Sequence, residues 1–271
     1  MASEKWLIDG EKIIDVDMVR NLKVGLIGGK VDIVGHDEPT ARVEVHSVSK
    51  KPLKVSIDGD TLEIDHPQLS WDNFIEVFKS FSNNAQADVS IMVPRDVALK
   101  FGVVSASGLI SGLTEDAKIS TVSGDVVVDN VYGDLELNSV SGEISVRNHY
   151  GNITSKTVSG DLTASGEIMK LTSNSVSGDV FLDLTGIPDS ANVKTVSGDI
   201  TLRLEAGVPA QYKVNTVSGK LQLDDSEISG VRGQYTGKHG DLHGQWLEFS
   251  ASTVSGDVAV LHARETASTS R

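Results

Sequence analysis

The sequence Thr121-Val122-Ser123-Gly124-Asp125 recurs, unchanged or with one or two substitutions, through the second half of the chain. Successive copies place their glycines 18, 18, 18, 20, 21 and 37 residues apart. These repeat glycines are Gly124, Gly142, Gly160, Gly178, Gly198, Gly219 and Gly256. A fixed period with slow drift is typical of stacked structural repeats.

Apolar and polar residues alternate after each repeat glycine. Aliphatic residues stand two and four positions later, as Val126 and Val128 do after Gly124, and the residue between them is mainly Ser, Thr or Gln. A period of two is typical of β-strands, whose successive side chains point to opposite faces. We therefore predict an all-β fold, a β-solenoid of ~18-residue coils in which equivalent side chains stack about 4.8 Å apart.

The residues just before each glycine extend this prediction. Val122 and its equivalents are expected to point inward, whereas Thr121 and Ser123 with their equivalents are expected to form an outward hydroxyl array. Between Gly124 and Gly160 glycine recurs every nine residues, so each coil is expected to have two similar halves. The glycines are expected to turn the corners with φ > 0.

The chain is predicted to have three parts. Residues 1–100 form an N-terminal β-strand region that caps the solenoid, residues 101–262 form the solenoid, and residues 263–271 form a disordered tail. Within the first part, Gly28-Gly29-Lys30 predicts a hairpin turn and Asp58-Gly59-Asp60 a second turn.

An aromatic segment interrupts the strand pattern at residues 70–82. Trp71, Phe74, Phe78 and Phe81 follow a helical spacing, which predicts a short helical insert with one apolar stripe. The stripe either packs over the end or side of the sheet, or anchors a partner, a second subunit or a membrane interface.

Composition and charge restrict the function. The chain has no cysteine and a formal net charge of −14, which excludes disulfides and disfavours nucleic acids and anionic membranes as partners. No segment reaches the length of a membrane span and the N-terminus lacks a secretory signal, so we predict a cytoplasmic location, with association with the cell envelope left open.

Three repeated features suggest chemistry. The serines of the Ser-Gly-Asp corners are equivalent, so none is singled out as a nucleophile. The acidic ladder is interpreted as solvated turn carboxylates, with calcium binding as the alternative; it comprises Asp125, Glu143, Asp161, Asp179 and Asp199. The hydroxyl array is interpreted as inter-coil hydrogen bonding, with ice binding as the alternative.

His239, Asp241 and His243 form the compact metal-like cluster of the sequence. Three potential ligands in a Gly-rich loop are typical of either a solvated loop or a metal site. Gly28-Gly29-Lys30 lacks the spacing of a phosphate-binding loop, and no cofactor is predicted.

The Val-Ser-Gly-Asp repeats of residues 104–260, preceded by the strand sequence Leu26-Ile27-Gly28-Gly29-Lys30-Val31-Asp32-Ile33, resemble the bacterial β-strand-repeat family of proposed adhesins. The resemblance implies a β-solenoid without an established catalytic motif, and some relatives are linked to envelope stress. It transfers no catalytic residue.

These observations predict a non-enzymatic β-repeat scaffold or adhesin-like binding protein that binds through its extended faces or its aromatic insert. Its partner would be a protein or an envelope component, and homo-oligomerisation stays open. The alternative is a polysaccharide lyase or hydrolase, because parallel β-helices also carry such enzymes.

Overall fold

The computed structural model describes residues 4–66, 85–224, 226–228 and 233–263. The secondary-structure elements in these ranges are all strands, which confirms the all-β prediction. The described residues include no helix that could cross a bilayer. The helix predicted at residues 70–82, with its four aromatic residues, lies outside the described residues.

The chain divides into two compact units, residues 1–147 and 148–271. The strands of the first unit are β1 (Glu4–Ile8), β2 (Lys12–Asp17), β3 (Asn21–Leu26), β4 (Gly28–His36), β5 (Thr40–Ser49), β6 (Leu53–Asp58), β7 (Thr61–Asp65), β8 (Gln86–Pro94), β9 (Ala98–Val103), β10 (Ser107–Ser111), β11 (Ala117–Thr121), β12 (Val126–Asp129) and β13 (Leu135–Ser139). Strand β14 (Ile144–Thr157) contains the point of division.

The first unit consists of two series of hydrogen-bonded strands. One has the order β13-β11-β9-β3-β7-β6-β1, and the other the order β14-β12-β10-β4-β8-β5-β2. The strand pairs up to β7 in one series and β8 in the other are parallel. The last two pairs of each series are antiparallel: β7 with β6 and β6 with β1, and β8 with β5 and β5 with β2. Each coil therefore contributes one strand to each series, as the nine-residue sub-period indicates.

The predicted hairpin at Gly28-Gly29-Lys30 is wrong. These three residues begin β4, and β3 ends just before them at Leu26; the two strands belong to different series, so the chain turns a corner at Ile27 and does not fold back on itself. Gly29 has φ +106° and a Cβ there would lie 2.1 Å from the Ala87 carbonyl oxygen, so glycine permits a close backbone approach. Asp58-Gly59-Asp60 does join the antiparallel pair β6 and β7, as predicted.

The strands of the second unit are β15 (Leu162–Asn174), β16 (Val180–Leu184), β17 (Ser190–Lys194), β18 (Ile200–Leu204), β19 (Ala210–Thr216), β20 (Leu221–Leu223), β21 (Ser226–Ile228), β22 (Gly233–His239), β23 (Leu247–Thr253) and β24 (Val258–His262). One series has the order β15-β17-β23-β19-β22 and the other the order β15-β16-β18-β24-β20-β21. All pairs are parallel except β19 with β22 and β20 with β21.

The coils of the second unit do not stack in chain order. The last coil, β23 and β24, lies between the coil β17-β18 and the coil β19-β20, although it follows both in the sequence. The 37-residue separation between Gly219 and Gly256 arises because strands β21 and β22 come between them and add an antiparallel strand to each series.

The predicted columns of aliphatic side chains are confirmed within each unit. Residues two positions after the repeat glycines pair in register, as Val180 does with Leu162 and Ile200, and their exposure is 2% or less. Burying one such side chain contributes about 1.5–3 kcal/mol. The columns therefore form the core of each unit.

The predicted orientation of the residues before each glycine is confirmed in part. Val122 is 3% exposed and Ser123 is exposed, as predicted, but the first repeat position and the valines of the second unit differ. The Thr or Ser at the first repeat position is buried, whereas the following valine is about half exposed in the second unit, as for Val176 and Val196. The reason is hydrogen bonding, because the Gly198 amide donates to Thr195 Oγ1 at 3.0 Å. A valine could not satisfy that buried amide.

Candidate functional site

The repeated corner has a structural role at every position. Ser177 Oγ donates to the Val158 carbonyl of the preceding coil (3.3 Å), and the Asp199 amide donates to Asp179 Oδ1 (2.8 Å). A Cβ on Gly198 would lie 2.1 Å from the Gly178 carbonyl oxygen, so glycine is required for close approach of the coils. The expected φ > 0 does not apply to Gly198, although Gly133 in the other half-coil has φ +92°.

The acidic ladder takes part in the same hydrogen bonding between coils. Within each unit, carboxylates of the ladder accept an amide hydrogen bond from a neighbouring coil, as Asp125 does from Glu143 (3.0 Å) and Asp161 from Asp179 (2.8 Å). A charge-assisted hydrogen bond to a backbone amide stabilises both groups. The ladder therefore fastens the corners together.

The outer surface of strands β15, β17, β23, β19 and β22 carries a different chemistry. Three rows of side chains cross these strands in register: Lys170, Ser190, Glu248, Gln211 and Lys238; Thr172, Asn192, Ser250, Lys213 and Thr236; Asn174, Lys194, Ser252, Asn215 and Gln234. We call this surface the lysine face. It has four lysines and one glutamate on a chain whose net charge is −14.

A groove of about 350 Å³ lies on the lysine face. Its polar lining includes Asn192, Gln211, Lys213 and Glu248. The four lysines of the face are exposed, and none forms an ion pair with a carboxylate among the described residues. The groove thus presents amide, hydroxyl and ammonium groups to solvent.

A second polar site lies where β20, β22 and β24 end. His262 Nδ1 lies 3.0 Å from Asp224 Oδ1 and 3.1 Å from Oδ2, and the His262 amide donates to Asp224 Oδ1 at 2.7 Å. His239 stacks on the His262 ring with centroids 3.8 Å apart, and Tyr212 Oη lies 3.2 Å from His262 Nε2. We call Asp224, His239 and His262 the terminal cluster.

Burial and charge set the protonation of this region. Burial opposes ionisation of Asp224, but the hydrogen bonds from His262 outweigh it and lower the pKa of the carboxyl group. Burial and then the nearby His262 lower the pKa of His239, against the opposing effect of Asp224. Burial, followed by the charge of Asp224, raises the pKa of Tyr212, so its hydroxyl stays protonated.

The structure separates the predicted metal-like cluster. His239 belongs to the terminal cluster, whereas His243 and Asp241 lie in the loop before β23, with His243 Nε2 3.6 Å from Asp241 Oδ1 and side chains 95% and 79% exposed. Trp71, Phe74, Phe78 and Phe81 lie outside the described residues, so their role as a binding stripe stays a prediction.

Sequence reasoning missed Asp224, His262 and Tyr212. One signal was present, because His262 stands six residues after its repeat glycine, where the two preceding coils of the stack have the buried Leu184 and Leu204. A polar residue at a position that is aliphatic in the neighbouring coils indicates a candidate functional site.

Solved structures with related folds are distant in sequence. A proposed lipid binding protein from Parabacteroides distasonis has a TM-score of 0.54 and 17% identity, over 94% of this chain and 97% of that one. A proposed adhesin from the same organism (TM-score 0.44, 14% identity, 94% and 98% coverage) and a proposed cell adhesion protein from Clostridium sporogenes (0.29, 14%, 93% and 99%) are also similar. At such identities the first of these supports the fold alone.

The sequence itself gives the family. A comparison with curated proteins finds no match. The Toastrack DUF4097 family matches residues 26–261, which is most of the chain and includes strands of both units. The solenoid-like β-fold expected from the repeats agrees with this match, and the chain belongs to the Toastrack DUF4097 family.

Proposed function

We propose that this protein is a non-enzymatic binding scaffold and that the lysine face is its ligand-binding surface. The observation that carries the proposal is the groove of about 350 Å³ on a face with four lysines that have no ion-pair partner in the part of the chain that the structure describes, although the chain as a whole is acidic. The ligand class that fits is an extended polyanion with hydroxyl groups, such as an acidic envelope polysaccharide.

The rows of the face suit a repeating ligand. Neighbouring strands lie about 4.8 Å apart, so a polar or charged side chain recurs at that interval along each row of the five strands. Ammonium groups such as Lys213 attract carboxylates, while Asn192 and Gln211 can both donate to and accept from hydroxyl groups. An extended polymer would therefore find matching partners along the whole face.

The groove favours binding over glycoside cleavage. Glycosidases generally use two carboxyl groups that flank the scissile bond. Among the described residues that line the groove, Glu248 is the one carboxylate. The enzyme alternative therefore has no paired acid at this place.

The proposal is tested by binding of polygalacturonate, an anionic polysaccharide, with neutral dextran as the comparison ligand. The full chain is expected to bind polygalacturonate more tightly than dextran, and added salt should weaken this binding. The double variant Lys170→Glu, Lys213→Glu should weaken binding at least about tenfold, because two attractive charges become repulsive. Isothermal titration calorimetry gives both affinities.

A charge-matched control is available in the first unit. Lys12 is exposed on β2, and Lys12→Glu should leave polygalacturonate binding unchanged. Equal affinity of the double variant and the original chain, or equal loss in Lys12→Glu, would show that the lysine face is not the binding surface.

A further inference from the structure

The terminal cluster brings together three potential metal ligands from distant parts of the chain. Asp224 follows β20, His239 ends β22 and His262 ends β24. One donor atom from each residue lies within 4.8 Å of the donors of the other two. Two imidazole nitrogens with one carboxylate oxygen form a donor set that Zn²⁺ favours, and three protein ligands leave a fourth position for water.

The distances bracket those of a tetrahedral site. Zn–N and Zn–O bonds of about 2.0–2.2 Å place adjacent donor atoms about 3.4 Å apart. Here Asp224 Oδ1 lies 3.0 Å from His262 Nδ1, and Asp224 Oδ2 lies 4.0 Å from His239 Nδ1. The three donor atoms are therefore close enough for side-chain rotation to bring them to one ion.

The surroundings hold two of the three ligands in place. The His262 amide donates to Asp224 Oδ1 (2.7 Å), which fixes the carboxylate. Tyr212, only 3% exposed, places its hydroxyl 3.2 Å from His262 Nε2. A hydroxyl can donate or accept, so Tyr212 can support the His262 tautomer whose Nδ1 is free to bind a metal.

The third ligand is the adjustable one. The rings of His239 and His262 are stacked with an interplanar angle of 15°, so one ion cannot lie in both ring planes. The His239 side chain is 37% exposed and ends an edge strand, whereas His262 is 7% exposed. Rotation of the His239 ring is therefore the movement that metal binding requires, and the exposure of Asp224 (41%) gives the ion a path from solvent.

We propose that Asp224, His239 and His262 form a Zn²⁺ site. The ion ties the antiparallel strand β22 to the coils β19-β20 and β23-β24 of the second unit. The ion would link the ends of β20, β22 and β24, which belong to both series of strands. Binding to the folded state alone adds stability by mass action.

Zinc titration of the tag-free full chain tests the proposal. After treatment with a chelator, the chain is expected to bind one equivalent of Zn²⁺ in calorimetry, and to show a rise in Tm when Zn²⁺ is added. His239→Ala should weaken binding at least about tenfold, since it removes a direct ligand. This variant is chosen because the His239 side chain is partly exposed, and circular dichroism should show the same spectrum for it as for the original chain.

His243→Ala is the matched control. His243 is nearby in sequence and 95% exposed, and its loss should leave the affinity unchanged. Asp224→Asn should weaken binding as His239→Ala does, because an amide is a poorer zinc ligand. Absence of Zn²⁺ binding at 100-fold molar excess, unchanged affinity in His239→Ala, or a loss in His243→Ala equal to that in His239→Ala would each overturn the site.

Discussion

At the residue scale, the orientation of the repeat in the second unit depends on a hydrogen bond from the glycine amide to the Thr or Ser hydroxyl at the corner. Thr195 Oγ1 accepts the Gly198 amide at 3.0 Å while Val196, beside it, is 48% exposed. The near-isosteric change Thr195→Val leaves a buried amide unsatisfied, so it should lower the free energy of unfolding by about 1–2 kcal/mol. The reverse change in the adjacent residue, Val196→Thr, should alter the free energy of unfolding by less than about 0.5 kcal/mol.

Urea denaturation followed by circular dichroism measures both variants. The pair is informative because the two changes exchange the same atoms at neighbouring positions. A large loss for Val196→Thr with little change for Thr195→Val would mean that the valine faces the core.

The buried His66 is expected to make the stability of the first unit depend on pH. The Ile27 amide donates to His66 Nδ1 at 3.2 Å, so the neutral ring carries its proton on Nε2. Burial, and then the charge of Lys51, lower the pKa of His66 to about 4 from 6.5. The unfolded chain therefore takes up a proton at a higher pH than the folded chain does.

The sign of this effect is a loss of stability on acidification between pH 6.5 and 4. From these two pKa values His66 should cost about 2 kcal/mol between pH 7.5 and 5. His66→Gln should flatten this dependence, whereas His243→Gln, at an exposed position, should not. Urea denaturation at the two pH values gives the slopes, and an equally steep slope for His66→Gln would contradict the assignment.

At the scale of the strands, the sequence predicts what depends on local pattern. The aliphatic columns after each glycine, such as Leu182 and Leu202, follow from the period of two alone. The same reasoning was wrong for the valines before the glycines of the second unit, because the chain turns between Val196 and Ile200 and the alternation restarts after the turn. Hydrophobicity favours valine inside, but the need to satisfy a corner amide outweighs it.

In the terminal cluster too, the residue with a local sequence signal could be predicted, and the residues brought together by strand pairing could not. His239 could be predicted as a candidate ligand because it has polar neighbours in sequence. Asp224 and His262 are 38 residues apart, and they meet only because β20 and β24 pair. That pairing depends on the order of the coils, which the repeat period does not encode. The lysine face was missed for the same reason, since its rows cross five strands.

At the scale of each unit, the ends are closed by antiparallel strands. In the first unit β1 and β2 are the last strands of their series, and in the second unit β21 and β22 are. An edge of a parallel series presents unpaired amides and carbonyls that can recruit other chains. In the first unit β1 and β2 pair with the distant strands β6 and β5, whereas in the second unit β21 pairs with its neighbour β20. Both arrangements add antiparallel strands beyond the repeated coils.

The order of coils in the second unit gives the most direct test of its fold. Strand β23 has a parallel neighbour on each side, β17 and β19, whereas β22 pairs with β19 alone among the described strands. Amides of residues 247–253 should therefore exchange at least about tenfold more slowly than those of residues 233–239, and about as slowly as those of residues 190–194. Hydrogen exchange with mass spectrometry measures all three segments. If the coils stacked in chain order, β19 would lie beside β17 and β23 would be displaced toward the edge, so equally fast exchange of residues 247–253 and 233–239 would contradict the inserted coil.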